Sequence, residues 1–325
     1  MARPDACALA VYAEPDLAKA EGSYLLRPAR DQGLEGVACV DDAARAAVLY
    51  CVRWQRYGVA ADRDAAHQLL RFLAYMQDED GRFTNFIFDW SGAKNLAGTT
   101  SSLGGQPWQA RALHALAWGI STFGGDEWKE RFDRALPWLN GASRHYDVRS
   151  VGLLAILQHW RATGAASSAE RALRWANWIA SARRGDCLLN DGGTEPVHLW
   201  GHLQEAALAA TGHALQRPEL VERARASADV LLLPAVEWCG SAPRVLPFEV
   251  SCVVAGLSAV ARATGEIRYA EAATKARSWF EGRNAARLPV YDERMLLIYD
   301  GIDEGQVSRN SGAESNIEGA LTLMI

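Results

Sequence analysis

The 325-residue chain is short of several things, and each shortage removes a class of function. It has no surplus of positive charge: 34 Lys and Arg stand against 39 Asp and Glu, a net charge of −5. A basic footprint for nucleic acid is therefore missing. No apolar run approaches the roughly 20 residues that cross a bilayer; residues 230–236 come nearest, and Pro234 interrupts them. The start has no charged segment leading into a continuous apolar one, so no secretory signal is read there and a cytoplasmic location is expected. The six cysteines, Cys7, Cys39, Cys51, Cys187, Cys239 and Cys252, lack CxxC spacing. They read as small buried apolar residues rather than as disulfides or metal ligands. Disorder is excluded too, because 49 % of the residues are hydrophobic.

What the chain does have is helices of two kinds in alternation. Residues 43–54, 151–160, 199–215 and 250–263 are apolar nearly all round, as buried helices are. Residues 62–77, 127–139, 169–182, 219–232 and 267–280 carry an apolar stripe and a polar face, as covering helices do. Tyr57-Gly58, Phe123-Gly124, Thr163-Gly164 and Thr264-Gly265 place a glycine just past a first helix, where a left-handed cap needs it. Arg161-Ala162-Thr163-Gly164 recurs as Arg262-Ala263-Thr264-Gly265, the mark of a repeated hairpin. First helices starting near residues 38, 107, 149, 199, 247 and 313 predict six hairpins. Unequal repeat lengths favour a closed ring over an open solenoid. The expected architecture is all-α, a single-domain (α/α)6 toroid over residues 36–325, with residues 1–35 packing on the ring.

In such a ring every loop entering a first helix opens on one face. Those loops hold the unusual residues, Trp, Tyr, Asn, Gly and many acids. Aromatic faces stack on sugar rings and carboxylates bond hydroxyls, so carbohydrate is the expected ligand class. Glycoside hydrolysis needs two carboxyls, one protonated and one ionised. Asp41 and Asp42 are candidates because adjacent acids disfavour double ionisation, although a helix cap explains either of them equally. Glu249 enters a very apolar helix, where it needs an arginine partner or a function. Glu314 begins the sixth buried helix, with a capping box from Ser311 as the alternative. These four form the expected catalytic pool. Expected substrate contacts are Asn85, Asp89, Trp90, Trp108, Tyr146, Glu195, His198, Trp200, Asp300 and Asn310.

Other constellations are weaker. His198 and His202 have metal-compatible i, i+4 spacing but no HExxH pattern, so neither a metal nor any other cofactor is expected. His145-Tyr146 with Arg149 offers the parts of a polysaccharide lyase, a proton-abstracting group beside a cation for a uronate. A terpenoid cyclase is disfavoured because the chain lacks the aspartate clusters that chemistry uses.

The segments Gly36-Val-Ala-Cys-Val-Asp41-Asp42-Ala-Ala-Arg45, Asp80-Gly81-Arg82-Phe83-Thr-Asn85-Phe86, Trp279-Phe280-Glu-Gly282-Arg-Asn284, Tyr291-Asp292 and Tyr299-Asp300-Gly301 carry a resemblance. So does Asn310-Ser-Gly312-Ala313-Glu314-Ser315. Together they resemble a bacterial family of six-hairpin glycosidase-like domains, found alone or fused to glycosyltransferases. Where that family has Gln-Gln-Pro-x-Glu, this chain has Leu246-Pro247-Phe248-Glu249 and keeps only the proline and the acid. The resemblance implies the toroid fold and carbohydrate processing. The leading expectation is a glycoside hydrolase acting on a bacterial oligo- or polysaccharide. The alternatives are a non-catalytic glycan-binding domain that assists a glycosyltransferase partner, or a lyase.

Overall fold

The computed structural model describes residues 5–19, 22–26, 35–139, 144–193 and 196–325. Helices dominate, and nearly all pair as hairpins. In chain order they are α1 (Val40–Tyr57), α2 (Ala60–Met76), α3 (Gln106–Phe123), α4 (Asp126–Ala135), α5 (Tyr146–Thr163) and α6 (Ala166–Ser181). They continue as α7 (Gln204–Ala214), α8 (Pro218–Ser227), α9 (Leu233–Ser241), α10 (Pro247–Thr264), α11 (Ile267–Arg277) and α12 (Ala313–Leu323). No described helix is long and apolar enough to cross a membrane. Gly58 and Gly265 end α1 and α10 in the left-handed conformation, at φ 68° and 75°, as their place after a periodic run predicts.

The contacts divide the chain into two compact units. The first comprises Met1–Ala142, Gln158–Ala165 and Gly312–Ile317, and the second Ser143–Leu157, Ala166–Ser311 and Glu318–Ile325. In the first unit α1 packs on both α2 and α3, and four of its buried positions are alanines, Ala43, Ala44, Ala46 and Ala47. Short side chains let helix axes approach closely, and dispersion along the whole seam replaces the area that one larger residue would bury. The striped face of α2 seats Leu69, Leu70, Leu73 and Met76 in that core, each almost wholly inaccessible.

In the second unit α10 packs on α7 and α11. Gly256 of α10 lets Leu232 approach closely: a Cβ on it would lie 2.4 Å from a Leu232 methyl group. Tyr269 of α11, with Trp279 and Phe280 just after that helix, is buried in the core of the second unit. Burying each such side chain is worth about 1.5–3 kcal/mol.

Two boundaries differ from expectation. The first buried helix of the fourth hairpin starts at Gln204 rather than at 199, so His198 and Trp200 sit in a loop. The helix expected to end at 232 instead passes through one π-helical turn, Ala228–Leu232, into α9, which begins with Pro234 in its first turn. The π turn, in which the Leu233 N–H reaches back to the Ala228 carbonyl, is the local break in the α ladder that accommodates a proline inside a continuous helical segment. Four of the six cysteines, Cys39, Cys51, Cys239 and Cys252, are buried, and Cys7 and Cys187 are partly so.

The connections carry short strands that helical periodicity does not foretell. A hairpin of β1 (Tyr12–Pro15) and β2 (Tyr24–Leu26) lies in the first unit. So does a two-residue ladder of β3 (Ala38–Cys39) with β4 (Phe86–Ile87). That ladder ties the long connection between α2 and α3 to the residues just before α1. Gln109, with no exposure, holds the same connection from α3: its Oε1 accepts the Phe83 N–H at 3.2 Å and its Nε2 donates to the Gly81 and Ala135 carbonyls, both at 3.1 Å.

Candidate functional site

At the start of α1 the Cys39 sulfur caps the helix, accepting the Asp42 N–H at 3.4 Å. Asp41 and Asp42 therefore stand in the first turn, where free N–H groups favour an anion. Asn85 clamps the turn from the side: its Oδ1 accepts the Asp41 N–H at 3.1 Å and its Nδ2 donates to the Thr100 carbonyl at 2.8 Å. Val40 donates to the Asn85 carbonyl at 2.8 Å. The acid pair is thus fixed to the connection that carries Phe88, Asp89 and Trp90.

One turn along α1, Arg45 is buried, with only 6 % of its side chain exposed. One terminal nitrogen of its guanidinium lies 2.9 Å from Asp41 Oδ2, and the other pairs with Glu314 Oε1 in the first turn of α12. Arg111 of α3 approaches Asp41 Oδ1 at 3.7 Å. Asp42 is the most buried of the three acids, 5 % exposed, and its Oδ2 accepts the Cys39 thiol at 3.2 Å. Burial pushes the Asp42 carboxyl up to about 7, with Asp41 and Glu314 adding to the rise and Arg45 opposing it. The Asp41 and Glu314 side chains are about a quarter exposed, 25 % and 27 %. One acid that keeps its proton near neutrality stands beside two that are paired with a guanidinium. That division suits general acid chemistry.

The second unit holds another polar cluster. Asn190 is its hub: its backbone carbonyl accepts the N–H groups of Tyr146 (2.6 Å) and Asp147 (3.2 Å), and its Oδ1 accepts the His198 N–H at 3.1 Å. His202, wholly inaccessible, pairs through Nε2 with Glu205 at 2.9 Å, and Ser227 donates to the same carboxylate at 2.5 Å. Burial works against the Glu205 anion, but His202 and Ser227 together hold its carboxyl below the usual range. Asp147 is raised by burial, against the pull of the Val148 N–H and of His145, His198 and His202.

Several expected site residues have structural duties. Glu249 caps a helix: its Oε2 accepts the Leu246 N–H at 2.9 Å at the start of α10. Burial raises its carboxyl, opposed by that N–H, Arg244 and His198. Trp108 is 7 % exposed and its indole N–H donates to the Phe83 carbonyl at 2.9 Å, which makes it a packing residue. Asp89 accepts the Ser91 N–H at 2.8 Å, and hydrogen bonds from Ser91 lower its carboxyl. Trp90 and Trp200 are open to solvent, 55 % and 52 % exposed, as sugar-stacking residues must be. Tyr146 and His198 gather at Asn190, and the Asp300 N–H bonds the Asn310 carbonyl at 2.8 Å. Glu195 lies outside the described residues. Arg149, the cation of the lyase reading, lies under Trp178 at 4.4 Å and is 5 % exposed. Ser311 donates to the Ile298 carbonyl at 3.1 Å.

Arg45 and Arg111 are absent from the residues expected in the site. The available signal was the Asp41-to-Arg45 spacing of four, with an arginine in an otherwise apolar helix.

No family model and no curated relative matches the chain. Solved structures do. A D-mannose isomerase aligns over 90 % of this chain and 89 % of its own at 13 % identity, with a TM-score of 0.67. The cellobiose 2-epimerase of Spirochaeta thermophila DSM 6192 aligns over 88 % of this chain and 85 % of its own at 14 % identity, TM-score 0.68. The α-1,6-mannanase of Salegentibacter sp. HEL1_6 aligns over 94 % and 93 % at 10 % identity, TM-score 0.62. It was captured as an inactive variant, two adjacent aspartates replaced by asparagine, with α-1,6-mannotriose bound. These neighbours are six-hairpin glycosidase-like enzymes. The fold is the (α/α)6 toroid. In the toroid the acid cluster belongs to the start of the first buried helix and of the sixth, α1 and α12.

Proposed function

We propose that the protein is a carbohydrate-active enzyme, a glycoside hydrolase in which Asp42 is the proton donor and Asp41 or Glu314 the ionised partner. The observation that carries this reading is the unequal treatment of three neighbouring carboxyls: Arg45 engages Asp41 and Glu314, while Asp42 is buried against a thiol. Protonation of a glycosidic oxygen by such an acid contributes about 10²–10⁴ in rate. The mannanase inactivated by replacing two adjacent aspartates supports the reading, since this chain also carries an adjacent pair. A neutral sugar suits the cluster better than a uronate, because Arg45 is already engaged by two carboxylates. Trp90 supplies an open aromatic face on the connection clamped to the acid pair. Glycan supplied or trimmed in step with a glycosyltransferase partner, in the cytoplasm, fits the sequence resemblance.

The test is hydrolysis of a panel of bacterial and α-1,6-linked mannose oligosaccharides, read by mass spectrometry, with Asp42→Asn and Glu314→Gln beside the parent. Products from the parent and a loss of at least about 10² in Asp42→Asn are expected; a like loss in Glu314→Gln makes Glu314 the ionised partner, and its absence makes Asp41 that partner. Undiminished turnover in both variants removes these residues as catalysts, and ligand bound but never cleaved identifies a binding module. NMR of the first-formed anomer then separates retention from inversion.

A second reading, sugar epimerisation, is favoured by the imidazole and carboxyl cluster of His198, His202, Glu205 and Asp147 and by the epimerases among the neighbours. It predicts a product of unchanged mass and altered retention in the same panel.

A further inference from the structure

Three carboxyls surround one guanidinium, and only two of them face its terminal nitrogens. Arg45 directs one of these at Asp41 and the other at Glu314, and only 6 % of its side chain is exposed. The third carboxyl, Asp42, has the Cys39 thiol on Oδ2, a much weaker donor than a guanidinium. We propose that Arg45 is a positioning residue that decides which carboxyl of the cluster carries its proton, holding Asp41 and Glu314 as anions and leaving Asp42 protonated.

This rests on the glycosidase reading only for its use in catalysis; the location of the proton is a property of the free protein. Among the described residues, the charged or titratable groups acting on Asp42 are Asp41 and Arg45 on α1, Cys39 on β3 and Glu314 on α12; on α3, Arg111 reaches Asp41 and has His114 beside it. His114 adds no charge near neutrality, because burial, with Arg111 beside it, drops its titration to about 3. Trp118 donates to its Nε2 at 3.2 Å, which requires that nitrogen to be unprotonated. Among the described residues Arg45 is the cation that touches two of the three acids, and Arg111 reaches one of them, Asp41, at 3.7 Å. Without Arg45 the part-buried Asp41 and Glu314 would lie beside Asp42 with the weaker Arg111 contact on Asp41, and like charges that close favour a second protonated carboxyl.

The experiment is a ¹³C NMR titration of the side-chain carboxyls of the full chain without ligand, with Asp42→Asn identifying the Asp42 signal. The parent is expected to show one cluster carboxyl, Asp42, titrating near 7. In Arg45→Gln at least two cluster carboxyls should titrate above about pH 6, and Arg45→Lys should return the count to one. If Arg45→Gln fails to fold, Glu314→Gln reads the same arrangement from the other side, and removing that anion should move the Asp42 midpoint down by about one pH unit. An Asp42 midpoint that neither Arg45→Gln nor Glu314→Gln moves, with no second carboxyl joining it, overturns the proposal. If the titrations behave as described and no glycan is cleaved, the proton assignment stands and the hydrolase reading falls. If glycan is cleaved and the titrations do not respond to Arg45, the reverse holds.

Discussion

Replacing Asp42 by asparagine should make the protein more stable and less active, and the stability gain should depend on pH in a definite way. An unfolded aspartate titrates near 3.8, whereas Asp42 in the folded chain titrates at about 7. A carboxyl raised on folding favours the folded state while both states are protonated. That advantage is lost as pH rises from the unfolded value through the folded one. Each pH unit between the two titrations is worth ~1.4 kcal/mol, so above pH 7 the ionisable Asp42 destabilises the fold by about 4 kcal/mol relative to pH below 4. Asparagine cannot ionise and keeps an acceptor for the Cys39 thiol. Urea melts should therefore show Asp42→Asn more stable by about 4 kcal/mol near pH 8, with the gain shrinking to under about 0.5 kcal/mol near pH 4 and the m-value unchanged. No gain at pH 8 would refute the argument, because Asp42 would then be ionised in the folded protein without penalty; a gain of the same size at both pH values would refute it too, because the penalty would then not come from the charge.

Substitutions at three further positions probe packing, clamping and capping. Gly105→Ala places a Cβ 1.9 Å from the buried Trp108 ring, so a loss of about 1–3 kcal/mol in urea melts is expected; a change within 0.5 kcal/mol would show that the ring can give way. Asn85→Ala strips the Asp41 N–H and the Thr100 carbonyl of their partner and should cost about 1–3 kcal/mol in thermal or urea unfolding, whereas a neutral result would mean that solvent replaces both bonds. Glu249→Ala should cost about 1 kcal/mol through the lost α10 cap, and Glu249→Gln, which retains an acceptor, should cost little. If Glu249→Gln abolished turnover at unchanged stability, Glu249 would return to the catalytic set.

The helices were legible in the sequence because local physics decides them. Apolar periodicity marks the seated faces of α1, α2 and α10, and Gly58 and Gly265 stop two of them where the left-handed cap requires it. The fourth hairpin was misjudged at its start because Leu199 and Trp200 extend an apolar pattern backwards over a loop held by Asn190, a hydrogen-bond hub that leaves no periodic trace. The site was legible only in part. Asp41, Asp42 and Glu314 could be named from their place at buried helix starts, but the Arg45 guanidinium that joins Asp41 to Glu314 reaches an acid 269 residues away in sequence, and no local pattern reports such a contact. Trp90, in the connection, and Trp108, in the first turn of α3, look alike in the sequence. The carbonyl of Phe83 and the burial of the ring separate them, and those are tertiary facts.

Capping and ion pairing account for one of the adjacent aspartates and fail for the other. Asp41 lies four residues before Arg45, pairs with it at 2.9 Å and stands in the first turn of a helix, three circumstances that each favour its anion. Its charge therefore needs no further explanation. Asp42 occupies the same turn but is buried beside two like charges, and its ionisation works against the fold over the neutral range. An asparagine there could accept the same thiol without that penalty. A residue that weakens the fold near neutral pH, where an uncharged isostere would serve the packing equally well, is explained by what its proton does. Activity measured across pH should therefore fall as Asp42 loses its proton, on a basic limb centred near 7, and that limb should vanish with the residual activity of Asp42→Asn. A basic limb that persists unchanged in that variant would assign the proton to another group.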